Sequence, residues 1–270
     1  MHKYQLLRNK IKDLKKVTIA FSGGVDSSLL LMVALKELGK ENVFAVLADS
    51  PVRLRKNYQR AKQMLKDLEL NYKIIKTDEL ANQSFRKNDK LRCYYCKYEM
   101  FKNIRRIAEN EGMSNIIDGT NFDDVVVDYR PGLKALKEFE IISPLKEAGL
   151  SKEEIRKLSR DLDLPTWDQP SDTCLATRIA YGMEINSERL RKVREIEDFL
   201  AKYKLKEFRA RMHDENSIRL EVQAEDVPII INNRSDIYRK ISEYGFNYVS
   251  LDLKGYRSGS MNELINKENK

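Results

Sequence analysis

The sequence predicts an α/β protein in which a doubly wound parallel sheet is followed by a smaller C-terminal α+β domain. Three observations support this fold class. Strand-like and helix-like segments alternate through the first half of the chain, and a glycine-rich turn directly follows the first apolar strand segment. After Gly182 the strand-like segments change from continuously apolar to alternating apolar and polar residues. We therefore expect two domains, 1–182 and 183–270.

The elements of the first half follow from apolar runs and helical spacing. Val17–Phe21 is continuously apolar, as expected of a strand that is buried on both faces. Gly39 ends the helix that follows it. In chain order, we predict a helix over 4–15, strand 17–21, helix 28–38, strand 42–49, helix 53–70, strand 72–76, a helix that follows a cysteine pair and runs to about 110, and strand 115–119.

The second half begins with a clear helix start. Ser151 and Glu154 have the spacing of a capping box, and Pro165 and Pro170 then bracket an irregular stretch that runs to Gly182. Beyond it, we predict helix 187–203, strands 207–213 and 217–222, helix 235–244 and strand 247–253. Because the strands have one polar face, we expect a largely antiparallel sheet.

Composition limits the location and the ligands of the protein. The chain has 270 residues, 41% hydrophobic and 34% charged, and its longest apolar runs are much shorter than the roughly 20 residues of a membrane span. The N-terminus has no apolar signal core, so we expect a cytoplasmic location. The net charge of +8 suits nucleotides, phosphates or RNA, but on charge alone a lysine-rich solvated surface is the favoured explanation. Since the lysines are spread along the chain, nucleic-acid binding is not favoured.

The string Ser-Gly-Gly-Val-Asp-Ser-Ser at residues 22–28 has the chemistry of a phosphate-binding loop. Two glycines allow backbone N–H groups to surround an anion, and the positive end of the following helix points to the same place. Asp26 is placed to hold Mg²⁺. The loop lacks the Gly-Lys-Ser/Thr ending of a P-loop and the glycine spacing of a dinucleotide fingerprint. An ordinary strand-to-helix turn is the alternative.

This string resembles the PP-loop ATP pyrophosphatases, which split ATP into AMP and pyrophosphate to adenylate a substrate. The resemblance implies ATP and Mg²⁺ as cofactors, with Asp26 in a catalytic role. It also implies that Asp49 and Ser50, at the tip of the second strand, lie near the nucleoside. The implied phosphate contacts are Ser22, Gly23, Gly24, Asp26, Ser27 and Ser28.

The cysteines point to metal or thiol chemistry. The chain has three, an odd number, which argues against a disulfide framework. Cys93 and Cys96 have the spacing of two ligands of one metal centre, and Cys174 lies in the proline-bounded stretch. Three thiolates leave one position open, either on a [4Fe–4S] cluster or on zinc completed by His2 or His213. A structural or redox-active cysteine pair and a simply buried Cys174 are the alternatives.

Six strings together resemble the LarE family of ATP-dependent sulfur transferases, whose product contributes to the nickel-pincer nucleotide of lactate racemase. They are residues 21–28, 119–124, 128–132, 170–182, 208–213 and 255–262. The resemblance implies adenylation of a carboxylate on pyridinium-3,5-biscarboxylic acid mononucleotide, then sulfur transfer to give a thiocarboxylate. Some members sacrifice the sulfur of one cysteine at the position of Cys174. The additional Cys93 and Cys96 resemble the variant in which three cysteines hold a [4Fe–4S] cluster.

Further residues are expected in the substrate and nucleotide sites. Arg209 and Arg211 share one face of a strand, as either a solvated edge or a phosphate clamp, and the family resemblance implies the clamp. Glu197 matches an acidic family position and is expected to be catalytic. Asp124, in the group Asp123, Asp124 and Asp128, is expected on the nucleotide side.

Two other functions remain open from the sequence. A tRNA-thiolating enzyme shares the glycine loop and often three cysteines, but no appended RNA-binding module is visible. A non-catalytic ATP- or metal-binding module is the other alternative. For the favoured sulfur transferase, the expected partners are a small nucleotide substrate, sulfide or another sulfur donor, and further copies of the chain. A nickel-insertion enzyme is a further candidate partner, and neither a membrane nor nucleic acid is expected.

Overall fold

The computed structural model describes residues 2–126, 130–170 and 173–263, so Asp128 lies outside the described residues. The chain forms two compact units, Met1–Asp78 with Cys93–Asp172, and Glu79–Arg92 with Thr173–Lys270. The second stretch of the first unit thus ends before the predicted boundary at residue 182. The boundary between two domains stays a prediction.

The strands of the first 170 residues alternate with helices, as the sequence predicts. The elements in chain order are α1 (His2–Leu14), β1 (Val17–Phe21), α2 (Val25–Leu38), β2 (Val43–Asp49), α3 (Arg55–Asp67), β3 (Tyr72–Lys76), α4 (Gln83–Arg86), α5 (Arg92–Asn110), β4 (Ile116–Asp118), α6 (Asp123–Val126), α7 (Gly132–Glu138), α8 (Pro144–Glu147) and α9 (Lys152–Asp161). α4 belongs to the second unit and has no counterpart among the predicted elements. None of the helices in the described ranges is long and apolar enough to cross a membrane.

The first unit is built on a parallel sheet with the strand order β3-β2-β1-β4. Successive residues of β2 alternate between two apolar clusters. Val43, Ala45 and Leu47 pack with α1, α2 and α9, whereas Phe44 and Val46 pack with α5. Both faces of the sheet are therefore covered by helices, which confirms the predicted doubly wound α/β class.

The strand order reverses beside β1. From β1 the chain moves outward through β2 to β3, then returns to place β4 on the other side of β1. In open α/β sheets ligands bind at such a reversal, outside the carboxyl ends of the strands. The glycine loop follows β1 and the segment 119–121 follows β4, so both lie at the carboxyl ends of the two strands beside this reversal.

The cysteine pair lies inside a helix, not before it as predicted. α5 begins at Arg92, so Cys93 and Cys96 are in its first two turns. Asp89 stabilises the turn that precedes this helix, because its Oδ1 accepts the Leu91 N–H at 2.8 Å. Asp before a helical segment is a common start signal, and in this sequence it lies upstream of the cysteines.

The second unit combines helices with a three-stranded sheet. Its later elements are α10 (Ser187–Leu200), β5 (Phe208–Met212), β6 (Ser217–Val222), α11 (Val227–Asn232), α12 (Arg234–Ser242) and β7 (Tyr248–Leu251). The strand order is β5-β6-β7, in which β5 and β6 are antiparallel but β6 and β7 are parallel. The sheet is thus mixed instead of largely antiparallel, because α11 and α12 form a crossover between β6 and β7.

Candidate active site

The loop after β1 is organised by its own serine side chains. The Oγ atoms of Ser22 and Ser27 lie 3.0 Å apart, and Gly24 N–H donates to Ser22 Oγ at 3.3 Å. The first intrahelical bond of α2 runs from Ser28 N–H to the Gly24 carbonyl at 2.9 Å. The backbone N–H groups that precede Ser28 in the first turn of α2 have no intrahelical acceptor. Such N–H groups can bind anions.

Two glycines allow close contacts around this loop. Gly23 has a φ of 71°, and a Cβ there would lie 2.4 Å from Ala61 Cβ in α3. A Cβ on Gly119, after β4, would lie 3.0 Å from Ser27 N. The segment after β4 therefore contacts the beginning of α2, and larger residues at these glycines would displace the loop.

Ser28 differs from the other residues of the loop. Its side chain is fully buried, and its hydroxyl contacts Met64 Sδ at 3.7 Å. The predicted phosphate contact by Ser28 receives no support from this geometry and remains a prediction.

Asp26, in the first turn of α2, makes an ion pair that the sequence did not predict. Its Oδ2 lies 2.5 Å from Lys152 Nζ, and the two side chains are 21% and 30% exposed. Its Oδ1 accepts a hydrogen bond from Asn121 Nδ2 at 3.3 Å. The carboxylate predicted to hold Mg²⁺ is thus near the surface and paired with a cation.

The neighbouring carboxylates stabilise the turn after β4. Asp123 Oδ2 accepts the Lys152 backbone N–H at 2.8 Å. Asp124 Oδ2 accepts the Asn121 N–H at 3.1 Å, while Asn121 Oδ1 accepts the Asp124 N–H at 3.1 Å. Arg130 Nη2 lies 3.1 Å from Asp124 Oδ1. Both carboxylates therefore cap local structure, and a nucleotide contact by Asp124 remains a prediction.

A buried carboxylate at the end of β4 positions the same segment. Asp118 is 6% exposed and accepts from Thr120 Oγ1 at 2.5 Å, Thr120 N–H at 3.2 Å and Ser143 Oγ at 2.7 Å. Three donors compensate for the loss of water around its oxygens. The sequence analysis did not single out Asp118. It is one polar residue at the end of a short apolar strand, and no motif marks it.

The tip of β2 carries two arginines that were also missed. Asp49 Oδ1 accepts from Arg55 Nη1 at 2.5 Å, and Ser50 Oγ accepts the backbone N–H two residues further on at 3.3 Å. Arg53 donates to the carbonyl oxygen of Ser22. Arg53 therefore joins the segment after β2 to the glycine loop. The nucleoside contact that the sequence predicts for Asp49 and Ser50 remains a prediction.

In the second unit, a buried ion pair anchors the backbone at Cys174. The side chains of Arg178 and Glu197 are 1% and 7% exposed, and two hydrogen bonds of 2.9 and 3.0 Å join them. Arg178 Nη1 also donates to the carbonyl oxygens of Thr173 at 3.1 Å and Cys174 at 3.3 Å. Glu197 thus positions Arg178; its predicted catalytic role is untested and stays a prediction.

The two arginines of β5 are buried, so the solvated-edge alternative is wrong. Arg209 and Arg211 are 7% and 5% exposed, and Glu221 is 0% exposed. Arg211 Nε donates to Glu221 Oε2 at 3.1 Å and Nη2 to Ser260 Oγ at 3.2 Å, while that hydroxyl donates to Glu221 Oε1 at 2.8 Å. The Arg209 guanidinium lies over the Tyr256 ring at 5.0 Å.

The arginines of this unit repel one another. Burial lowers the pKa of Arg209, and the charge of Arg178 lowers it further. Burial likewise lowers the pKa of Arg211 to about 10, with an opposing contribution from Glu221 and a reinforcing one from Arg178. Arg178 is paired with Glu197, and Arg211 with Glu221. The phosphate clamp by Arg209 and Arg211 remains a prediction.

Comparison with known proteins decides the family. Residues 2–109 match the NAD synthase family. The chain is 37% identical to an uncharacterized protein of Synechocystis sp. over 98% of each chain. It is 35% identical to an uncharacterized protein of Methanocaldococcus jannaschii, over 93% of this chain and 94% of that protein. It is 34% identical to the pyridinium-3,5-bisthiocarboxylic acid mononucleotide synthase of Lactiplantibacillus plantarum, over 95% of this chain and 92% of the synthase.

The chain belongs to the LarE family. It is therefore an enzyme of the PP-loop ATP pyrophosphatase superfamily, whose members bind ATP and Mg²⁺. Within this LarE protein the PP-loop is the segment after β1, and its switch-point position is the one expected for a nucleotide.

The three cysteines of this LarE protein are divided between the units. Cys93 and Cys96 lie three residues apart in α5 and so share one face of the helix, whereas Cys174 belongs to the second unit. None of them is in a disulfide. Among the described residues, no group of three or more His, Cys, Asp or Glu side chains is gathered closely enough to hold a metal ion. The predicted metal ligation remains untested.

Proposed function

We propose that this LarE protein is an ATP-dependent sulfur transferase that acts on pyridinium-3,5-biscarboxylic acid mononucleotide. It adenylates a carboxylate of this substrate and converts it into a thiocarboxylate for the nickel-pincer nucleotide. The observation that carries the proposal is the 34% identity to the Lactiplantibacillus plantarum synthase over 95% of the chain. The buried arginine cluster of the second unit supports an anionic substrate.

The adenylation step uses the PP-loop. A carboxylate oxygen of the substrate attacks the α-phosphorus of ATP, the bond to the oxygen bridging to the β-phosphate breaks, and pyrophosphate leaves. The N–H groups in the first turn of α2 would stabilise the charge on the leaving phosphates. Asp26 would hold Mg²⁺ beside them.

The substrate phosphate would bind to the arginines of β5. The two guanidiniums are buried on the same strand, and a phosphate can accept hydrogen bonds from both. Glu221 and Ser260 fix the orientation of Arg211 through the hydrogen bonds described above. Because Arg178 holds the carbonyl oxygen of Cys174, we infer that the Cys174 backbone is positioned beside this anion site.

We further propose that Cys93, Cys96 and Cys174 hold a [4Fe–4S] cluster. The residue types support this proposal, since none of the three thiols is in a disulfide and two of them share one helix face. When bound, the cluster supplies one iron without a protein thiolate, at which sulfide from a donor can be taken up. The rival proposal is sacrificial use of the Cys174 sulfur. A cytoplasmic location, a homo-oligomeric assembly and a nickel-insertion partner remain predictions from the sequence.

We expect ATP turnover to produce AMP and pyrophosphate, because the PP-loop lacks the lysine of a P-loop. The purified enzyme is incubated with ATP, Mg²⁺ and the mononucleotide, and the nucleotides are separated by ion exchange. Asp26→Asn serves as the control and should lose most of this activity without unfolding. ADP and phosphate as the main products would exclude the proposed adenylation.

A further inference from the structure

A short segment from the first half of the chain is built into the second unit. Residues 79–92 precede the cysteine pair in sequence, yet they belong to the same compact unit as the chain from Thr173 onward. A backbone hydrogen bond of 3.1 Å from Gly182 N–H to the Asn88 carbonyl oxygen joins the two parts. The stretch that follows Cys174 is therefore held by a distant part of the sequence.

Asn88 lies at the centre of this contact. It is fully buried, and its φ of 54° is one that asparagine adopts more readily than most residues. Its Nδ2 donates to the carbonyl oxygens of Ile179, Ala180 and Met183 at 3.3, 2.8 and 2.9 Å. Its Oδ1 accepts from Arg92 Nη1. Both polar atoms of the amide thus have partners, and a fully satisfied buried network favours one arrangement of the backbone.

Arg92 extends this network to the turn that follows Cys174. The residue is 4% exposed, and the Nη1 atom that contacts Asn88 also donates to the Ala176 carbonyl oxygen at 3.1 Å. The guanidinium lies 4.8 Å from the centre of the Tyr181 ring. A buried cation therefore holds the backbone two residues after the cysteine.

Arg92 differs from the two other arginines that hold this turn. Arg178 and Arg211 bond the carbonyl oxygens of residues 174 and 177 at 3.3 and 2.9 Å, and each is paired with a buried glutamate. In the part of the chain that the structure describes, no carboxylate pairs with Arg92. Because a buried cation without a counter-ion costs free energy, stability alone does not account for this residue. Its removal would also leave no buried carboxylate without a partner.

We propose that Arg92, supported by Asn88, is a positioning residue for sulfur transfer. In this step a sulfide or thiolate sulfur attacks the carboxyl carbon of the adenylate, the bond from that carbon to the phosphate oxygen breaks, and AMP leaves. Arg92 fixes the backbone after Cys174 and so the place at which the sulfur meets the carboxyl carbon. This inference rests on the proposed function, because it assumes that sulfur is transferred at Cys174, but it does not depend on the source of the sulfur.

Arg92→Met is expected to separate the two half-reactions. The rate of sulfur transfer should decrease about 100-fold, the effect of a misplacement of about 1 Å. Pyrophosphate should form in the first turnover at a rate within about twofold of wild type, because the PP-loop keeps its residues. Both products are measured in the same rapid-quench reaction with ATP, Mg²⁺, mononucleotide and sulfide under anaerobic conditions. Partial unfolding would lower both rates together.

Hydrogen exchange of the ligand-free protein provides a readout that does not depend on activity. In Arg92→Met, the amides of residues 175–185 should exchange at least about 10-fold faster than in wild type, because this stretch loses a buried anchor. The amides of α10 and β5 should exchange as in wild type. Faster exchange throughout the second unit would show a general loss of stability and would overturn the positioning role.

Arg105→Met is the matched control. Arg105 also lies on α5 and holds backbone carbonyl oxygens, that of Ser114 at 3.0 Å and that of Phe139, but both belong to the first unit. This variant should change neither half-reaction nor the exchange of residues 175–185. Asn88→Gly is a second test: it permits the positive φ but removes the amide, and should cause the same selective loss of sulfur transfer even if Arg92→Met does not fold.

The outcomes separate this inference from the proposed function. Equal loss of both half-reactions in Arg92→Met, or sulfur transfer within about twofold of wild type, overturns the positioning role while wild type still transfers sulfur. Unchanged exchange of residues 175–185 also overturns it. Failure of wild type to release pyrophosphate or to transfer sulfur overturns the proposed function itself.

Discussion

Replacement of Glu197 by leucine is expected to lower the free energy of unfolding by about 3–5 kcal/mol. The substitution leaves the guanidinium of Arg178, 1% exposed, without its carboxylate. It also removes the acceptor of the Ala210 N–H, which donates to Glu197 Oε1 at 3.1 Å. A buried charge and a buried N–H group are thus left without these partners.

Denaturant unfolding measures this change, and α10 offers a matched control. Glu195 pairs with Arg191 at 3.1 Å, but their side chains are 40% and 53% exposed. Glu195→Leu should therefore cost less than about 1 kcal/mol. The double variant Arg178→Met with Glu197→Leu should recover most of the stability, since removing both charges also removes the desolvation penalty. A loss below about 1 kcal/mol for Glu197→Leu would show that this pair does not hold the second unit together.

Replacement of any one of Cys93, Cys96 and Cys174 by serine is expected to abolish sulfur transfer, whereas pyrophosphate release survives in part. Serine retains the size of cysteine but is a poor ligand of iron, so the proposed cluster would lose one of three thiolates. The PP-loop, which carries the adenylation, keeps all of its residues. Sulfur transfer, iron content and the visible spectrum are measured on protein purified anaerobically.

Tyr95→Phe is the control, because it changes α5 between Cys93 and Cys96 but keeps both thiols. It should retain both iron and sulfur transfer. The sacrificial alternative makes a different prediction: Cys93→Ser and Cys96→Ser remain active for one turnover, and Cys174 afterwards lacks the mass of H₂S. A single turnover with loss of the Cys174 sulfur, observed in iron-free protein, would exclude the proposed [4Fe–4S] cluster. The proposed adenylation step would not be affected.

The central strand of the first unit was predictable because it is a continuously apolar run that is buried on both faces. Val17–Phe21 has the predicted bounds, since a short apolar run between helices has few alternative structures. Tyr72–Lys76 also has the predicted bounds, although it is an edge strand in which only Ile75 is buried. The parallel pairing of β6 with β7 was not predictable, because strand pairing depends on the path of the intervening chain and not on the local pattern.

The part of the candidate site that lies in one continuous sequence motif was predictable. Contacts between residues that are far apart in the sequence were not. The loop at residues 22–28 carries its own chemistry. Lys152 reaches Asp26 only after folding, and the alternation in β5 did not reveal that Arg209 and Arg211 are buried. The pairing of charges within a core depends on tertiary contacts, which periodicity does not encode.

Sulfur transfer is tested most directly by the mass of the mononucleotide after incubation with the enzyme, ATP, Mg²⁺ and sulfide under anaerobic conditions. We expect one carboxylate oxygen of the substrate to be replaced by sulfur, with AMP formed in at least equal amount. An unchanged substrate mass despite bound cluster and continued release of pyrophosphate would contradict the sulfur transfer proposed here.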